Sequence, residues 1–342
     1  MKKILSVLAV LALMFTLTAC GGASEDDGKI TIGVNIYNYN DNFMNSVVKP
    51  AIEDYVASMD DVEIKMVDSQ GDQNILNNQI DTWIDSGVDV LMINLVDPTA
   101  GQTVIDKAKA ADIPLVLFNK ETTKDAMASY DKVWYVGTNS AESGIVQGLL
   151  MVDDVNSGYI ADRNGNGVID YYMLQGEAGH PDAMARTVES VKALTDAGFD
   201  VNELGLQVAD WDTAKAKNAV DTWLDANAAD IDVIIANNDG MALGVIQSLQ
   251  TSSKGWNAEA PKEGDIRVYG VDAIQSAVDA IAAGTLGGTV LNDGENQGKA
   301  ALDLSIAAAK GELTKDSTMS GNWKIEADGT KAVRVPYVKV GR

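Results

Sequence analysis

Two stretches of the chain, residues 88–98 (VDVLMINLVDP) and 230–240 (DIDVIIANNDG), share a pattern that restricts the fold. Each is a short, nearly continuous apolar run that follows the end of a helical pattern and finishes in Asn and Asp. Apolar runs of this kind are typical of strands that helices cover on both faces, as in parallel sheets. Because the pattern occurs in both halves, we predict two similar α/β lobes.

Strand and helix patterns alternate through both halves of the chain. In the first half, a β-rich run at 29–37 precedes an amphipathic helix around Leu76–Ile84 that stops at Gly87, and a helix at 104–111 precedes a strand at 114–119. The second half has predicted strands at 171–176, 266–272 and 287–293 and predicted helices at 184–197 and 213–226. This succession predicts an α/β fold with two doubly wound parallel-sheet lobes.

Polar residues collect where the predicted strands end. They are Asp41, Asn119, Asn238, Asp239, Asp272 and Asn292. Ligands of open α/β sheets bind outside the carboxyl ends of the strands, so a ligand that touched all six would lie in a cleft between the lobes. Asn and Asp also end strands as turn formers. One such residue indicates little, whereas six at one edge favour a binding site.

The charge balance narrows the class of ligand. The 342 residues contain 26 Lys and Arg and 50 Asp and Glu, a formal net charge of −24. Such a chain lacks the basic surface that nucleic acids require, and its overall field repels anionic substrates. A neutral small ligand remains compatible with this charge.

The first 28 residues read as an export signal and a tether. Met1-Lys2-Lys3 precedes an apolar run at 4–17 and the sequence LTAC, which ends at Cys20. We predict a signal peptide at 1–19, because the run is too short to span a membrane. LTAC resembles a bacterial lipobox, which implies a lipid such as palmitate on Cys20, a tether at 20–28 and anchoring to the outer side of the cytoplasmic membrane. An ordinary cleavage site is the alternative.

The only histidine, His180, lies in GEAGHPDAMAR at 176–186. A serine–histidine triad is disfavoured because no G-x-S-x-G motif is present, and a histidine metal site would need further histidines. Cys20 is the only cysteine, so thiol chemistry and disulfides are excluded from the folded part. Pro181 suits a helix start, and Asp182 and Arg186 share one helix face. An N-terminal cap with a surface ion pair is the simpler interpretation of this cluster.

The polar residues suit a neutral polyhydroxyl ligand better than a catalytic reaction. Carboxylates accept hydrogen bonds from hydroxyls, Asn both donates and accepts, and Arg donates to two adjacent oxygens. Phe43 and Trp211 stand in polar loops, where an aromatic ring could pack on the apolar face of a sugar. Local packing explains each of them about equally well. Glycoside hydrolysis would require paired carboxylates. Some such pairs are expected by chance among fifty acidic residues, so they are weak evidence for this reaction.

Nearly the whole mature chain, from about Ile30 to Val340, resembles the bacterial galactose/glucose-binding proteins. These are solute-binding sugar receptors of ABC importers, in the lac-repressor-like class of periplasmic binding proteins. The motifs that carry the resemblance are YNYNDNFM, NLVDP, FNKE, YVGT…ESGI, GHPDAMAR, WDTA, IANND, GVDA, GTVLND and NWKI…VRVPYV, in this order. The resemblance implies sugar transport by a monomer that has no catalytic activity and delivers a hexose to the permease subunits.

The resemblance also implies a role for each residue of the binding site. The side chains that it implies as hydrogen-bond partners of the sugar are Asp41, Asn119, Asp182, Arg186, Asn238, Asp272 and Asn292. His180 is implied to donate to a ring hydroxyl, and Phe43 and Trp211 to stack on the two sugar faces.

The family closes about a hinge of three segments. Here the resemblance implies crossings near Gly137–Thr138, Leu291–Asn292 and Arg334–Pro336. The N-terminal lobe then comprises 29–137 with 293–334, and the C-terminal lobe comprises 138–292 with 335–342.

Residues 162–170, DRNGNGVID, match the first nine positions of an EF-hand calcium loop. Oxygen ligands are expected from Asp162, Asn164, Asn166, the carbonyl of Val168 and Asp170. Position 12 is Met173, which cannot bind Ca²⁺, and the resemblance places the missing carboxylate on Asp232. The family has Glu at the position of Asp232 and Gln at that of Asp170. A polar Asn-Gly turn without metal is the alternative.

Three other functions remain open from the sequence. The ligand could be another monosaccharide or polyol. The protein could be a sugar-sensing input to a chemoreceptor or sensor kinase, or an enzyme that acts on sugars.

Overall fold

The computed structural model describes residues 28–256 and 261–342. The predicted signal peptide and Cys20 lie outside the described residues. Among those that are described, no helix is both long and apolar enough to cross a membrane.

The first part of the chain alternates strands and helices, as the sequence predicts. Its elements are β1 (Ile30–Ile36), α1 (Lys49–Val56), β2 (Val62–Asp68), α2 (Gln73–Asp85), β3 (Val90–Ile93), α3 (Gly101–Ala110), β4 (Leu115–Phe118), α4 (Lys124–Ala128) and β5 (Val133–Gly137). A π-helical turn at Met44–Val48 leads into α1, and a 3₁₀ turn at Pro98–Ala100 leads into α3. On α2, the apolar face is buried as expected.

The second part repeats the alternation and then returns to the first sheet. It contains α5 (Ser140–Asn156), β6 (Ile169–Gln175), α6 (Pro181–Asp196), β7 (Val201–Val208), α7 (Thr213–Asn227), β8 (Val233–Ala236), α8 (Asp239–Thr251), β9 (Arg267–Tyr269), α9 (Gln275–Ala282) and β10 (Gly288–Leu291). The remaining elements are α10 (Gly294–Ala309), β11 (Met319–Ser320), β12 (Trp323–Lys324), β13 (Ala332–Arg334) and β14 (Val338–Gly341).

The strands form two six-stranded sheets, which confirms the predicted two-lobed α/β fold. The first has the order β13-β5-β4-β3-β1-β2 and the second β14-β10-β9-β8-β6-β7. Their central strands are fully buried, which explains the continuous apolar runs at Val90–Ile93 and Val233–Ala236. One pairing departs from the predicted parallel arrangement, because β14 runs antiparallel to β10.

The chain passes between the two sheets three times. It leaves the first sheet after β5, returns from the second sheet after β10, and leaves again after β13. We call these three connections the hinge segments: 138–139, 292–293 and 335–337. Each sheet is therefore built from separate parts of the sequence, so neither lobe is one continuous stretch of chain. Closure about these segments stays a prediction.

Candidate functional site

A cavity of about 340 Å³ lies where the carboxyl ends of the strands of the two lobes meet. All ten residues predicted as sugar contacts line it, together with Tyr37, Met44 and Lys120. The ten are Asp41, Phe43, Asn119, His180, Asp182, Arg186, Trp211, Asn238, Asp272 and Asn292.

Asp41 is held in one orientation by the first lobe. Its Oδ1 accepts a hydrogen bond from the backbone N–H of Met44 at 2.7 Å, at the start of the π-helical turn. Its Oδ2 accepts from the hydroxyl of Tyr37 at 2.7 Å. Two fixed donors leave the remaining lone pairs of this carboxylate available to a ligand in the cavity.

His180 is the N-cap of α6, and its role there fixes its protonation state. Its Nδ1 accepts a hydrogen bond from the backbone N–H of Asp182 at 3.1 Å. Burial lowers the pKa of His180 to about 4, despite the opposing effect of Asp182. The ring is therefore neutral at pH 7, and its proton lies on Nε2, which can only donate. The lone histidine is a cap and a hydrogen-bond donor.

Arg186 carries the fixed positive charge of the cavity. Its side chain is only 3% exposed. Its Nη2 lies 3.5 Å from Asp182 Oδ2, and its Nη1 lies 3.7 Å from Asp272 Oδ1. The expected ion pair between Asp182 and Arg186 on α6 is thus present. It is buried, and Arg186 also lies close to Asp272. One guanidinium lies between two carboxylates that face the same cavity.

The strand-end residues of the second lobe form a connected set. Asn292 donates to Asp272 Oδ1 at 3.1 Å, while its own Oδ1 accepts from Gln297 of α10 at 2.6 Å. Asn238 caps α8 by accepting from the N–H of Met241 at 2.9 Å. Burial raises the pKa of Asp272, and the charge of Arg186 opposes that shift. These amides and carboxylates offer both donors and acceptors to the ligand.

Asp239 is the one strand-end residue for which the cleft prediction is wrong. Its side chain is fully buried and does not line the cavity. The two carboxylate oxygens accept hydrogen bonds from the Thr289 hydroxyl at 2.6 Å and the Ile274 N–H at 3.0 Å. Asp239 therefore links α8 to the side chain of Thr289 and the backbone of Ile274. Asp commonly has such a structural role at strand ends.

Phe43 and Trp211 approach the cavity from opposite lobes, and each packs against a glycine. A Cβ on Gly294 would lie 2.8 Å from the ring of Phe43, and a Cβ on Gly176 would overlap the indole of Trp211. Trp211 also has a left-handed backbone, with φ of 64°. Such a conformation is strained for a bulky residue and is typical of ligand sites. The two aromatic walls are therefore fixed by close contacts.

Lys120 was not predicted as a site residue, although it lies within the FNKE motif. It is 1% exposed, donates to the carbonyl of Val96 at 3.1 Å and lies 3.7 Å from the ring centre of Tyr37. It also forms an ion pair with Glu177 of the second lobe at 2.7 Å. Burial lowers the pKa of Lys120, and Glu177 opposes this shift. Only the assembled lobes show this contact, because its partners are 57 residues apart.

The loop at 162–170 lies at the amino end of β6, opposite the cavity. Asp162 accepts hydrogen bonds from the backbone N–H groups of Gly165 and Gly167, as the start of a tight loop. Asp170 and Asp232 are each 1% exposed. Asp232 accepts from the backbone N–H of Arg163 and of Asp170, both at 2.8 Å.

Side-chain amides donate hydrogen bonds to the carboxylate of Asp170. Asn164, Asn166 and Asn202 donate to its carboxylate at 2.9, 2.8 and 2.6 Å. Burial raises the pKa of Asp232, and the nearby carboxylates of Asp170 and Asp162 add to the shift. Within residues 28–256 and 261–342, no three His, Cys, Asp or Glu side chains are arranged to hold a metal by themselves. A cation here would need amide and carbonyl oxygens as well.

Comparison with known proteins places the chain in a family. A model of the periplasmic binding protein domain matches residues 32–313. The D-galactose/methyl-galactoside binding periplasmic protein MglB of Haemophilus influenzae is 40% identical over 343 residues, which cover 100% of this chain and 98% of that protein. The ribose import binding protein RbsB of Bacillus subtilis is 28% identical, covering 95% of this chain and 99% of that protein.

A solved structure shows the same fold. The ABC transporter solute binding protein of Bacillus halodurans with bound myo-inositol aligns with a TM-score of 0.74 at 24% identity, covering 93% of this chain and 96% of that chain. All three are named as binding proteins. The chain belongs to the periplasmic binding protein domain family.

Proposed function

We propose that the protein is an exported receptor that closes around D-galactose or D-glucose and delivers the sugar to an ABC importer. The observation that carries this proposal is the cavity between the lobes, whose polar lining and aromatic walls come from both sides. The 40% identity to a D-galactose/methyl-galactoside binding protein supports a hexose as the ligand.

The polar lining matches the chemistry of a ring of hydroxyl groups. Asp41, Asp182 and Asp272 supply acceptors, Arg186 and the Nε2–H of His180 supply donors, and the three asparagines supply both. Charge-assisted hydrogen bonds of this kind are stronger than neutral ones. Phe43 and Trp211 would cover the apolar faces of the pyranose. A neutral sugar satisfies these groups without adding a charge that the cavity must balance.

Contacts across the mouth support closure as part of binding. The ion pair between Lys120 and Glu177 joins the two lobes, and Asn42 donates to Thr213 at 3.3 Å. Neither pair needs the sugar as a bridge. The closed form is therefore the form that a permease would recognise, as in other hinge-closing binding proteins.

Titration with a sugar panel tests the proposed ligand. Because Trp211 lines the cavity, we expect a saturable change in tryptophan fluorescence with galactose or glucose, and isothermal titration should give the same affinity. The Trp211→Phe variant is the matched control, since the change should shrink while calorimetry still detects binding. Ribose, xylose, methyl galactosides and myo-inositol complete the panel. The absence of a saturable response to either hexose at millimolar concentration would refute the proposal.

We infer that this receptor has no catalytic role. Product analysis after incubation with galactosides and glucosides tests this. Turnover of a bound glycoside would favour the enzyme alternative.

We also propose that the exported protein is anchored through a lipid on Cys20. The LTAC sequence supports this inference. Expression of the full chain should place the protein in the membrane fraction with acyl chains on Cys20 by mass spectrometry. The Cys20→Ala variant should be released from the membrane. Equal membrane association of both forms would contradict the anchor.

A further proposal is that the loop at 162–170 binds Ca²⁺ with Asp162, Asn164, Asn166, Asp170, the carbonyl of Val168 and Asp232. Hard oxygen donors of this kind are those that Ca²⁺ prefers. Asp170 and Asp232 are buried, and within the described residues neither forms a salt bridge. Buried carboxylates of this kind are commonly balanced by a cation.

Metal analysis and thermal unfolding test the calcium proposal. The purified protein should contain about one equivalent of calcium, and chelation should lower the melting temperature by about 5 °C, because a ligand of the native state stabilises it. Excess Mg²⁺ should not restore stability as Ca²⁺ does. Unchanged melting with no bound metal would favour a metal-free polar turn.

A further inference from the structure

The side chain of Tyr337 lies in the third hinge segment and contacts the site without lining the cavity. It is 5% exposed, and its ring packs in the apolar core of the second lobe. Its hydroxyl lies 3.0 Å from Arg186 Nη2 and 2.9 Å from the hydroxyl of Thr138 in the first hinge segment. One phenol thus joins a cavity side chain to two hinge segments.

The chemistry of the groups fixes the direction of the hydrogen bond between Arg186 and Tyr337. A guanidinium can only donate, so the oxygen of Tyr337 accepts from Arg186. Burial raises the pKa of Tyr337 to about 12, so the phenol keeps its proton. In the hydrogen bond with Thr138, either hydroxyl can be the donor. The hydroxyl of Tyr337 therefore links Arg186 to Thr138 in one chain of hydrogen bonds.

The protein holds three of the five N–H groups of Arg186. The Nε–H donates to Ser143 at 3.1 Å, Nη1 donates to the carbonyl of Asn237 at 2.9 Å, and Nη2 donates to Tyr337. Two N–H groups remain for the cavity and its carboxylates. Tyr337 is the only one of these three acceptors that belongs to a hinge segment.

Further contacts tie the third hinge segment and its flanking strand to the first. The backbone N–H of Val335 donates to the carbonyl of Gly137 at 2.8 Å, and Arg334 Nη1 donates to the carbonyl of Thr138 at 2.7 Å. Asn292, which is itself a cavity residue, occupies the second segment. All three hinge segments are thus tied to the cavity, the first and third through one hydroxyl.

We propose that Tyr337 is a positioning residue whose hydroxyl aims Arg186 at the ligand and couples the guanidinium to the first and third hinge segments. The inference rests on the proposed function in so far as Arg186 contacts the sugar. In this view, a sugar that fixes Arg186 also restricts the hinge. Loss of the Tyr337 hydroxyl should weaken the binding of every sugar that contacts Arg186. The ratio of galactose to glucose affinity should therefore not depend on Tyr337.

Removal of the hydroxyl tests the proposal. Calorimetric titration of Tyr337→Phe should show about tenfold weaker binding of galactose and of glucose, the size expected for a hydrogen bond to a charged group. Thr138→Val removes only the hydroxyl that pairs with Tyr337 and should weaken binding about threefold. Because the two hydroxyls act in one chain, the double variant should match Tyr337→Phe alone.

Tyr130→Phe is the matched control. Tyr130 is also buried, and its hydroxyl donates to the carbonyl of Ile113 in the first lobe, away from the cavity. This variant should lose stability but keep sugar affinity. If Tyr337→Phe behaved in the same way, with lower melting temperature and affinity within twofold of the wild type, the hydroxyl would be merely structural and the proposal overturned.

A measurement without sugar separates this inference from the proposed function. Spin labels on the two lobes report the distribution of interlobe distances by double electron–electron resonance. We expect a broader distribution in Tyr337→Phe and in Thr138→Val than in the wild type. Failure of the wild type to bind hexose would refute the proposed function alone, whereas unchanged distributions in both variants would overturn the role of Tyr337. If Tyr337→Phe did not fold, Thr138→Val would decide the outcome.

Discussion

The second lobe carries two polar regions at opposite ends of β6, and they balance charge in opposite ways. At the carboxyl end, the cavity contains Asp182 and Asp272 with a built-in cation, Arg186. At the amino end, the described contacts of Asp170 and Asp232 are with amide N–H groups and not with cationic side chains. A buried negative charge requires a partner. The cavity therefore contains a cation of its own, whereas the loop suits a cation from solution.

The two regions also differ in how the sequence encodes them. The loop comprises nine consecutive residues plus Asp232. The spacing of the oxygen ligands within those nine residues is visible in the sequence itself. The cavity takes residues from 41 to 292 and exists only when two sheets meet. Local chemistry therefore defines the loop, whereas tertiary structure defines the cavity. Changes at each end of β6 should accordingly have separate effects.

The largest expected effect on sugar affinity comes from Arg186→Ala. Removing one partner of a buried ion pair costs about 3–5 kcal/mol, which is more than a hundredfold in Kd. Here it would remove the guanidinium that lies within 3.7 Å of both Asp182 and Asp272. Calorimetry with galactose measures the loss. Lys192→Ala, an exposed change on the same helix, is the control and should leave the affinity unaltered. Tight binding by Arg186→Ala would show that the cavity does not need its built-in cation.

Gly176→Ala should have the next largest effect, although it changes no polar group. The added methyl would overlap the indole of Trp211, so the ring must shift away from its place in the cavity wall. Overpacking of this kind costs about 1–3 kcal/mol, so we expect a tenfold to hundredfold loss of affinity. The indole atoms nearest to Gly176 are absent from phenylalanine. In a Trp211→Phe background the same change should therefore cost little, and an equal cost in both backgrounds would contradict this explanation.

The elements of the fold could largely be predicted from the sequence, because helices and buried strands have clear periods. The short strand β14 could not, since its four residues have mixed polarity and its antiparallel pairing with β10 depends on the third hinge segment. The Asn and Asp residues at the ends of strands formed a sequence pattern that predicted a binding site. The same pattern wrongly included Asp239. Which Asn or Asp faces the cavity depends on side-chain partners such as Thr289, and these are known only from tertiary structure.

Contacts between the lobes could not be predicted from sequence patterns. Lys120 and Glu177 lie on different lobes, and neither has a neighbour in sequence that indicates the pairing. Tyr337 looks like an ordinary apolar residue of VRVPYV until Arg186 is brought against it. The assignment of single residues to sugar contacts came from family resemblance, and their convergence on one cavity is what the structure adds.

A smaller effect is expected from pH, because the only histidine lies at the cavity end of β6. The folded state keeps His180 neutral down to about pH 4, whereas the unfolded chain takes up a proton near 6.5. The free energy of unfolding should therefore decrease as pH falls from about 6.5 to 4. The titration of His180 should leave sugar affinity unchanged from pH 8 to 5 and lower it about twofold at pH 4, when half the rings are protonated.

Protonation acts through the cap as well as through the charge. A proton on Nδ1 would face the N–H of Asp182, so the capping hydrogen bond would be lost. Titration of sugar binding in His180→Gln, whose amide can donate without titrating, is the comparison. The variant should lack the step near pH 4 that the wild type shows. A wild-type step near pH 6.5 that His180→Gln lacks would mean that the ring is not buried as the structure shows.

The smallest expected effect on sugar affinity comes from Asp170→Asn at the other end of the same strand. Replacement of the buried carboxylate should weaken Ca²⁺ binding and lower the melting temperature by a few degrees, since the cation stabilises only the folded loop. Its sugar affinity should stay within twofold of the wild type, because the rigid strand β6 and its buried neighbours separate the loop from His180 and Trp211. Calorimetry with and without chelator gives both quantities on one sample. A large loss of sugar affinity on chelation would show that the two ends of β6 are coupled. The cavity with its built-in cation and the loop that binds Ca²⁺ would then not be two independent sites.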